Sequence, residues 1–149
     1  MKQIHIYTDG GCSGNPGPGA WAYILIDPEG TTQNAGFVAE TTNNRMELRA
    51  VIEALQAVRQ RADSALARIE LFTDSQYVKN GITDWIHNWI RNGWKTRSKQ
   101  PVKNQDLWKL LLSSSSTMRV HWRWLQGHAG DRNNEACDRL VQQTIRQGR

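Results

Sequence analysis

Four carboxylates stand where apolar stretches of this chain give way to polar ones: Asp9 after the alternating run Ile4 to Thr8, Glu47 near the start of a helical pattern, Asp74 after Arg68 to Thr73, and Asp138 within the last helical stretch. No cluster of His or Cys accompanies them, so a site built from them offers oxygen ligands alone. Such sites suit hard divalent cations. The pattern points to phosphoryl-transfer chemistry dependent on Mg²⁺ or Mn²⁺.

Each carboxylate also has an ordinary structural use. An Asp at a strand end can hydrogen-bond turn amides. Asn44-x-x-Glu47 fits a capping box, and a first-turn Glu complements the helix dipole. Val51 nevertheless lies one turn along on the same face, so Glu47 borders the apolar stripe and can point toward a sheet. Asp138 follows Cys137, an inward-facing position of its helix, where a solvated Asp is the alternative. Asp9 and Asp74 form the stronger pair, because open α/β sheets bind ligands beyond the ends of adjacent strands.

The elements that must position these groups follow from periodicity. Ile4 to Thr8, Ala20 to Ile26 and Thr31 to Glu40 read as three strands of an antiparallel meander, with a β-turn at Asp27-Pro28-Glu29-Gly30. The Gly-rich run from Gly10 to Gly19 is expected to end the first strand. From Asn44 the period becomes helical, with Leu48, Val51, Ile52, Leu55 and Val58 on one face, closing at Ala62-Asp63-Ser64. A strand at Arg68 to Thr73 precedes a short helix that Gly81 is expected to stop, and a second helix runs from Thr83 to Arg91. Gly93 to Pro101 should be an exposed loop, and Asn104 should cap a helix through Leu112. Ser113 to Ser116 then links to a strand over Met118 to Trp124, and Ala136, Cys137, Leu140, Val141 and Thr144 line one side of the final helix. The alternation implies an α/β sheet with helices packed on its faces.

A chain of 149 residues with 38% hydrophobic content is sized for one domain with one core, taken over residues 1–149. It has no apolar run of transmembrane length, and its N-terminus enters a strand directly, which leads to the expectation of a soluble cytoplasmic protein. Cys12 and Cys137 fit neither a disulfide framework nor a CxxC metal site. The Gly-rich loop lacks the Gly-Lys-Ser/Thr ending of a P-loop and joins two strands, which argues against nucleoside triphosphate binding.

The net charge of +5 is localised: residues 79–109 carry seven basic side chains against Asp84 and Asp106, and the remaining chain balances at 12 of each sign. The same segment holds Trp85, Trp89, Trp94 and Trp108. Basic charge interleaved with aromatics is the composition of a nucleic-acid contact surface, although core tryptophans under a solvated face have the same composition.

Tyr7-Thr8-Asp9-Gly10 with its Gly-rich loop, Thr41-Thr42-Asn43-Asn44-Arg45-Met46-Glu47, Thr73-Asp74-Ser75-Gln76-Tyr77-Val78, Trp94-Lys95, Gly127-His128-Ala129-Gly130 and Asn134-Glu135-Ala136-Cys137-Asp138 resemble, in order, the motifs of bacterial type 1 ribonuclease H. The resemblance spans about residues 4 to 141. It implies a ribonuclease H-like fold, a five-stranded mixed sheet with helices on both faces. It also implies Mg²⁺-dependent endonucleolytic cleavage of the RNA strand of an RNA–DNA hybrid, giving 5′-phosphate and 3′-hydroxyl ends. On this resemblance Asp9, Glu47, Asp74 and Asp138 are metal-binding catalytic carboxylates, and His128 is a mobile catalytic histidine. Cys12, Asn15, Asn43, Asn44 and Gln76 match residues that touch the hybrid in its minor groove. Thr42 and Asn104 match a phosphate pocket, Trp85 and Trp89 a channel for the DNA strand, and Lys95 belongs to the same substrate-binding segment. One departure is Ile90-Arg91-Asn92, where many bacterial members have consecutive basic residues.

Two cations, with Mn²⁺ a plausible substitute for Mg²⁺, would activate a water and stabilise the leaving oxygen, and Asp9 is placed to bridge them. Without them, crowded carboxylates repel, so at least one apparent pKa should rise. Two competitors remain at this point: a non-catalytic duplex-binding module, and the integrases, transposases and junction resolvases, which share a related carboxylate layout. A monomer is the default expectation.

Overall fold

The computed structural model describes residues 2–61, 67–126 and 131–149. Five strands form one mixed sheet: β1 (Gln3–Cys12), β2 (Gly17–Asp27), β3 (Gly30–Thr41), β4 (Arg68–Thr73) and β5 (Arg119–Trp124), in the order β3-β2-β1-β4-β5. β2 pairs antiparallel with β1 and β3, whereas β1–β4 and β4–β5 are parallel. The expected meander is therefore one half of the sheet. The crossovers that parallel pairing demands supply the helices.

Strand alternation sorts the helices onto opposite faces. Ile4 and Ile6 of β1, with Ile69 and Leu71 of β4, pack into one core with Leu48, Val51, Ile52, Leu55 and Val58 of α1 (Asn43–Arg59). Tyr7, the residue after Ile6, packs with Ala22 and Ile24 of β2 and with Cys137 and Val141 of the final helix on the other face. The first core also takes in Leu107, Trp108 and Leu111 of the helix Gln105–Ser115. Because the period of a strand is two, residues that follow Tyr7 at that interval stay on the face of the final helix.

Several expected boundaries move, each for a local reason. β1 does not end at Asp9: Gly10, Gly11 and Cys12 continue the ladder opposite Trp21, Ala20 and Gly19. Asp9 thus sits inside a paired strand. Glycine permits extended backbone as readily as any turn, and here pairing with β2 decides the outcome. The α1 cap is Thr42, whose Oγ1 accepts from the Arg45 amide at 3.2 Å, so the expected Asn44–Glu47 capping box is replaced by a cap two residues earlier.

Gly81 does not stop a helix. α2 (Gln76–Asn80) passes through one wide π-type turn, Gly81–Trp85, into α3 (Ile86–Arg91). A Cβ at Gly81 would lie 2.0 Å from the Trp108 ring, so this glycine is required by packing. Trp108 is fully buried and belongs to the core, not to the basic surface on which its sequence neighbours placed it. α4 (Gln105–Ser115) absorbs most of the serine run expected to be a linker, and α5 (Arg132–Gln147) closes the fold. No helix among the described residues is long and apolar enough to cross a membrane.

Candidate active site

The site is assembled from the register of β1 and β4. Tyr7 pairs with Phe72, and their rings stack at 4.7 Å between centroids. Two residues beyond this pair stand Asp9, within β1, and Asp74, just past the end of β4, and both line one cleft. On the face that α5 covers, Asp138 lines the same cleft as Asp9, and its charge acts on it. Glu47 arrives from the opposite face. Gly10 allows this: a Cβ there would fall 2.3 Å from the Met46 carbonyl carbon and 2.5 Å from the Glu47 amide nitrogen. The first turns of α1 therefore rest directly on the β1 backbone.

All four carboxylates line one open cleft of about 380 Å³, together with Cys12, Asn43 and Gln142. Burial first, and then the charges of Asp74 and Asp138, push the Asp9 carboxyl up to about 8. Burial likewise raises Glu47 to about 6, partly offset by the Ser75 hydroxyl that donates to its Oε2 at 2.5 Å. Burial and the same three aspartates push the Cys137 thiol upward, so this cysteine is an inert packing residue. Among the described residues, no group of three or more His, Cys, Asp or Glu side chains is gathered tightly enough to hold a metal ion as it stands. The donor set is nonetheless all-oxygen in chemistry, and its mutual repulsion is of the kind a hard cation relieves.

The Gly-rich loop and the α1 N-terminus are clamped together at the rim. Asn43 Oδ1 accepts from the Cys12 amide at 2.8 Å, and Asn15 Oδ1 accepts from the Asn43 amide at 3.2 Å. The Cys12 thiol donates to the Gly14 carbonyl at 2.8 Å. Asn44 and Gln76 stand exposed in the first turns of α1 and α2. Thr42 and Asn104 are both bonded to Arg45. Asn104 occupies the α4 N-cap position with φ of 59°, but its side chain makes no capping bond, contrary to expectation.

Farther along, Trp85 and Trp89 lie 5.9 Å apart and line a groove of about 360 Å³ with Asn88, Lys95 and Arg97. The structure thus separates the matched residues into a carboxylate cleft with its rim and a tryptophan groove. His128 lies outside the described residues.

Sequence reasoning missed the residues that support the carboxylates. Ser75 caps α2 through the Val78 amide at 3.1 Å while holding Glu47. Asn134 donates to Asp74 at 3.4 Å. Its spacing four residues before Asp138, one turn back on the same helical face, was the available signal. Tyr77, which accepts from Asn104 and Trp108, had none beyond its place after Asp74.

A mixed sheet with this strand order, helices on both faces and site carboxylates on β1 and just past the end of the parallel β4 defines a ribonuclease H-like protein. The RNase H family profile matches residues 1–146. The ribonuclease H of Treponema denticola is 51% identical over 150 aligned positions, covering 93% of this chain and 94% of that protein. The crystal structure of LC9-RNase H1, a type 1 RNase H with the type 2 active-site motif, superposes with a TM-score of 0.88 at 32% identity, covering 100% of this chain and 74% of that one. LC11-RNase H1, solved in complex with an RNA/DNA hybrid, shares the fold at a TM-score of 0.73 and 23% identity, covering 97% of each chain. The chain belongs to the RNase H family.

Proposed function

We propose that this protein is an endoribonuclease that hydrolyses the RNA strand of RNA–DNA hybrids, acting as a single catalytic domain and a cytoplasmic monomer. The observation that carries this reading is the convergence of Asp9, Glu47, Asp74 and Asp138 on one cleft, in a chain of the RNase H family. The relatives' name and the hybrid-bound LC11-RNase H1 support the choice of substrate.

Asp9, Glu47, Asp74 and Asp138 are the residues that would hold two Mg²⁺ ions, with Mn²⁺ a substitute. Such ions supply Lewis-acid stabilisation of the scissile phosphate and a water activated near neutral pH. The remaining work falls to the protein. Asp9, on the central strand and beside both Asp74 and Asp138, would be the central carboxylate of this ligand set. Ser75 and Asn134 fix the rotamers of Glu47 and Asp74. His128 serves proton transfer to the departing 3′-oxygen, leaving a 5′-phosphate and a 3′-hydroxyl.

Strand choice requires reading the 2′-hydroxyl, which both donates and accepts. The rim supplies Cys12, Asn15, Asn43, Asn44 and Gln76 for the minor groove. The Trp85–Trp89 groove with Lys95 takes the DNA strand by stacking and charge. Thr42 and Asn104 receive a backbone phosphate.

The test is a cleavage assay on a hybrid, an RNA duplex and a DNA duplex of one sequence, with Mg²⁺, Mn²⁺, Ca²⁺ or EDTA. Cleavage confined to the RNA strand of the hybrid and lost in EDTA is expected. Cleavage of duplex DNA would favour a resolvase-like reading instead. Binding without cleavage in every metal would favour a non-catalytic module.

A further inference from the structure

Thr42 and Asn104 share an unusual feature: each spends an acceptor inside the protein, and both on one residue. Thr42 Oγ1 accepts from the Arg45 backbone amide, and Asn104 Oδ1 accepts from Arg45 Nη1 at 3.2 Å. The guanidinium is itself anchored by two bonds to Asp106, at 3.0 and 2.8 Å. On the other side, Asn104 Nδ2 donates to the Tyr77 hydroxyl at 3.1 Å, and Trp108 Nε1 donates to the same oxygen at 3.0 Å.

The polarity of this chain is set at one point. A hydroxyl can donate as well as accept, so Tyr77 tolerates either end of the Asn104 carboxamide. A guanidinium only donates, so Arg45 forces the oxygen inward. One Nδ2 proton is then spent on Tyr77, and the second remains for a ligand. Among the described residues the Thr42 hydroxyl proton likewise has no acceptor. A pair of side chains that offers donors and hides acceptors suits an anion.

We infer that Arg45 is a positioning residue: through Asn104 it converts the Thr42–Asn104 pair into a donor-only seat for a backbone phosphate of the hybrid. The inference rests on the proposed reading that these two residues receive such a phosphate. It also gives Asp106, an acid within the basic segment, a role in aiming Arg45.

Steady-state cleavage of an RNA–DNA hybrid by Asn104→Ala, Arg45→Gln, Arg45→Lys and the double variant Arg45→Gln/Asn104→Ala tests the inference. Glutamine fills the same space but can face Asn104 with either end; lysine stays donor-only. Losing one bond to a charged group predicts that Asn104→Ala raises KM by about tenfold with kcat within about twofold. Arg45→Gln should raise KM by several-fold, Arg45→Lys should recover most of that, and the double variant should be no worse than Asn104→Ala. The salt dependence of hybrid binding should keep the parent slope in Arg45→Gln, because Arg45 itself meets no phosphate. Additive effects in the double variant, a flatter salt slope, or no rescue by lysine would overturn the positioning role while leaving the phosphate seat standing. An unchanged KM in Asn104→Ala would overturn the seat, and the inference with it. Melting temperatures of all variants separate a loosened α1–α4 contact, which lysine and glutamine would share, from the polarity effect that divides them.

Discussion

Gly10 and Glu47 are in backbone contact, since a Cβ on Gly10 would approach the Glu47 amide nitrogen to 2.5 Å. The absence of a side chain on the strand thus sets the depth at which the helix delivers its carboxylate. Gly10→Ala cannot be absorbed by rotating a flexible side chain, because the atoms in the way are backbone. Overpacking of this kind typically costs about 1–3 kcal/mol. We expect a fall in melting temperature of several degrees together with at least a hundredfold loss of hybrid cleavage. A variant melting like the parent would show that α1 can ride outward at little cost.

The raised pKa of Asp9 makes a prediction about stability. Its carboxyl is held at about 8 by burial and by Asp74 and Asp138, against an ordinary value near 4. The folded state binds this proton more tightly than the unfolded state does. Stability is therefore full below about pH 4 and declines as pH rises toward 8. Asn at position 9 cannot ionise, so in EDTA Asp9→Asn should melt several degrees above the parent at pH 8, and the gap should close by about pH 4. Mg²⁺ should raise the melting temperature of the parent more than that of the variant. Equal melting in EDTA at pH 8 would mean that the cleft solvates its charges.

Much of this site was legible before any coordinates. Asp9 and Asp74 were marked by the polar sequence that follows two alternating runs, and the apolar stripe of α1 placed Glu47 at its edge. What escaped was tertiary in origin. Gly10 and Gly81 look like breakers because local sequence cannot show a helix or a tryptophan pressing against them. Trp108 looks like its exposed neighbours until α4 is docked. Ser75 and Asn134 reach Glu47 and Asp74 across elements, so the helix cap of the one and the spacing of the other from Asp138 gave only a partial signal.

Asp74→Asn should abolish cleavage, by at least about a thousandfold, while hybrid affinity measured in Ca²⁺ stays within a few-fold of the parent. The substitution removes a ligand charge from the cleft and leaves the tryptophan groove untouched. Turnover within about tenfold of the parent would remove Asp74 from the metal-binding set.

Glu70 offers a pH dependence of opposite sign. It accepts from Arg123 Nε at 2.8 Å and from Arg68 Nε at 3.1 Å, and these guanidinium groups hold its carboxyl below the ordinary range. A depressed carboxylate contributes stability above its unfolded pKa and loses it as pH falls through the folded value. Glu70→Gln should therefore lower the melting temperature at pH 7 and have no effect near pH 2. Both arginines are partly exposed, so screening limits the change to a few degrees and salt should shrink it. A loss that persists at low pH would point to packing rather than charge.

The basic segment divides on structural grounds. Lys95 and Arg97 line the groove with Trp85 and Trp89, whereas Lys99 lies outside that lining, on the exposed loop beyond it. Phosphate contacts mostly provide binding shared by ground and transition states, so Lys95→Gln/Arg97→Gln should raise KM far more than it lowers kcat. Each lost contact should flatten the log–log salt dependence of hybrid binding by roughly one unit or somewhat less. Lys99→Gln should change the slope by a small fraction of that. Affinity measured across a salt series for the double and single variants distinguishes the positions. If Lys99 flattens the slope as much as Lys95 and Arg97 together, the DNA strand follows the outer loop and not the tryptophan groove.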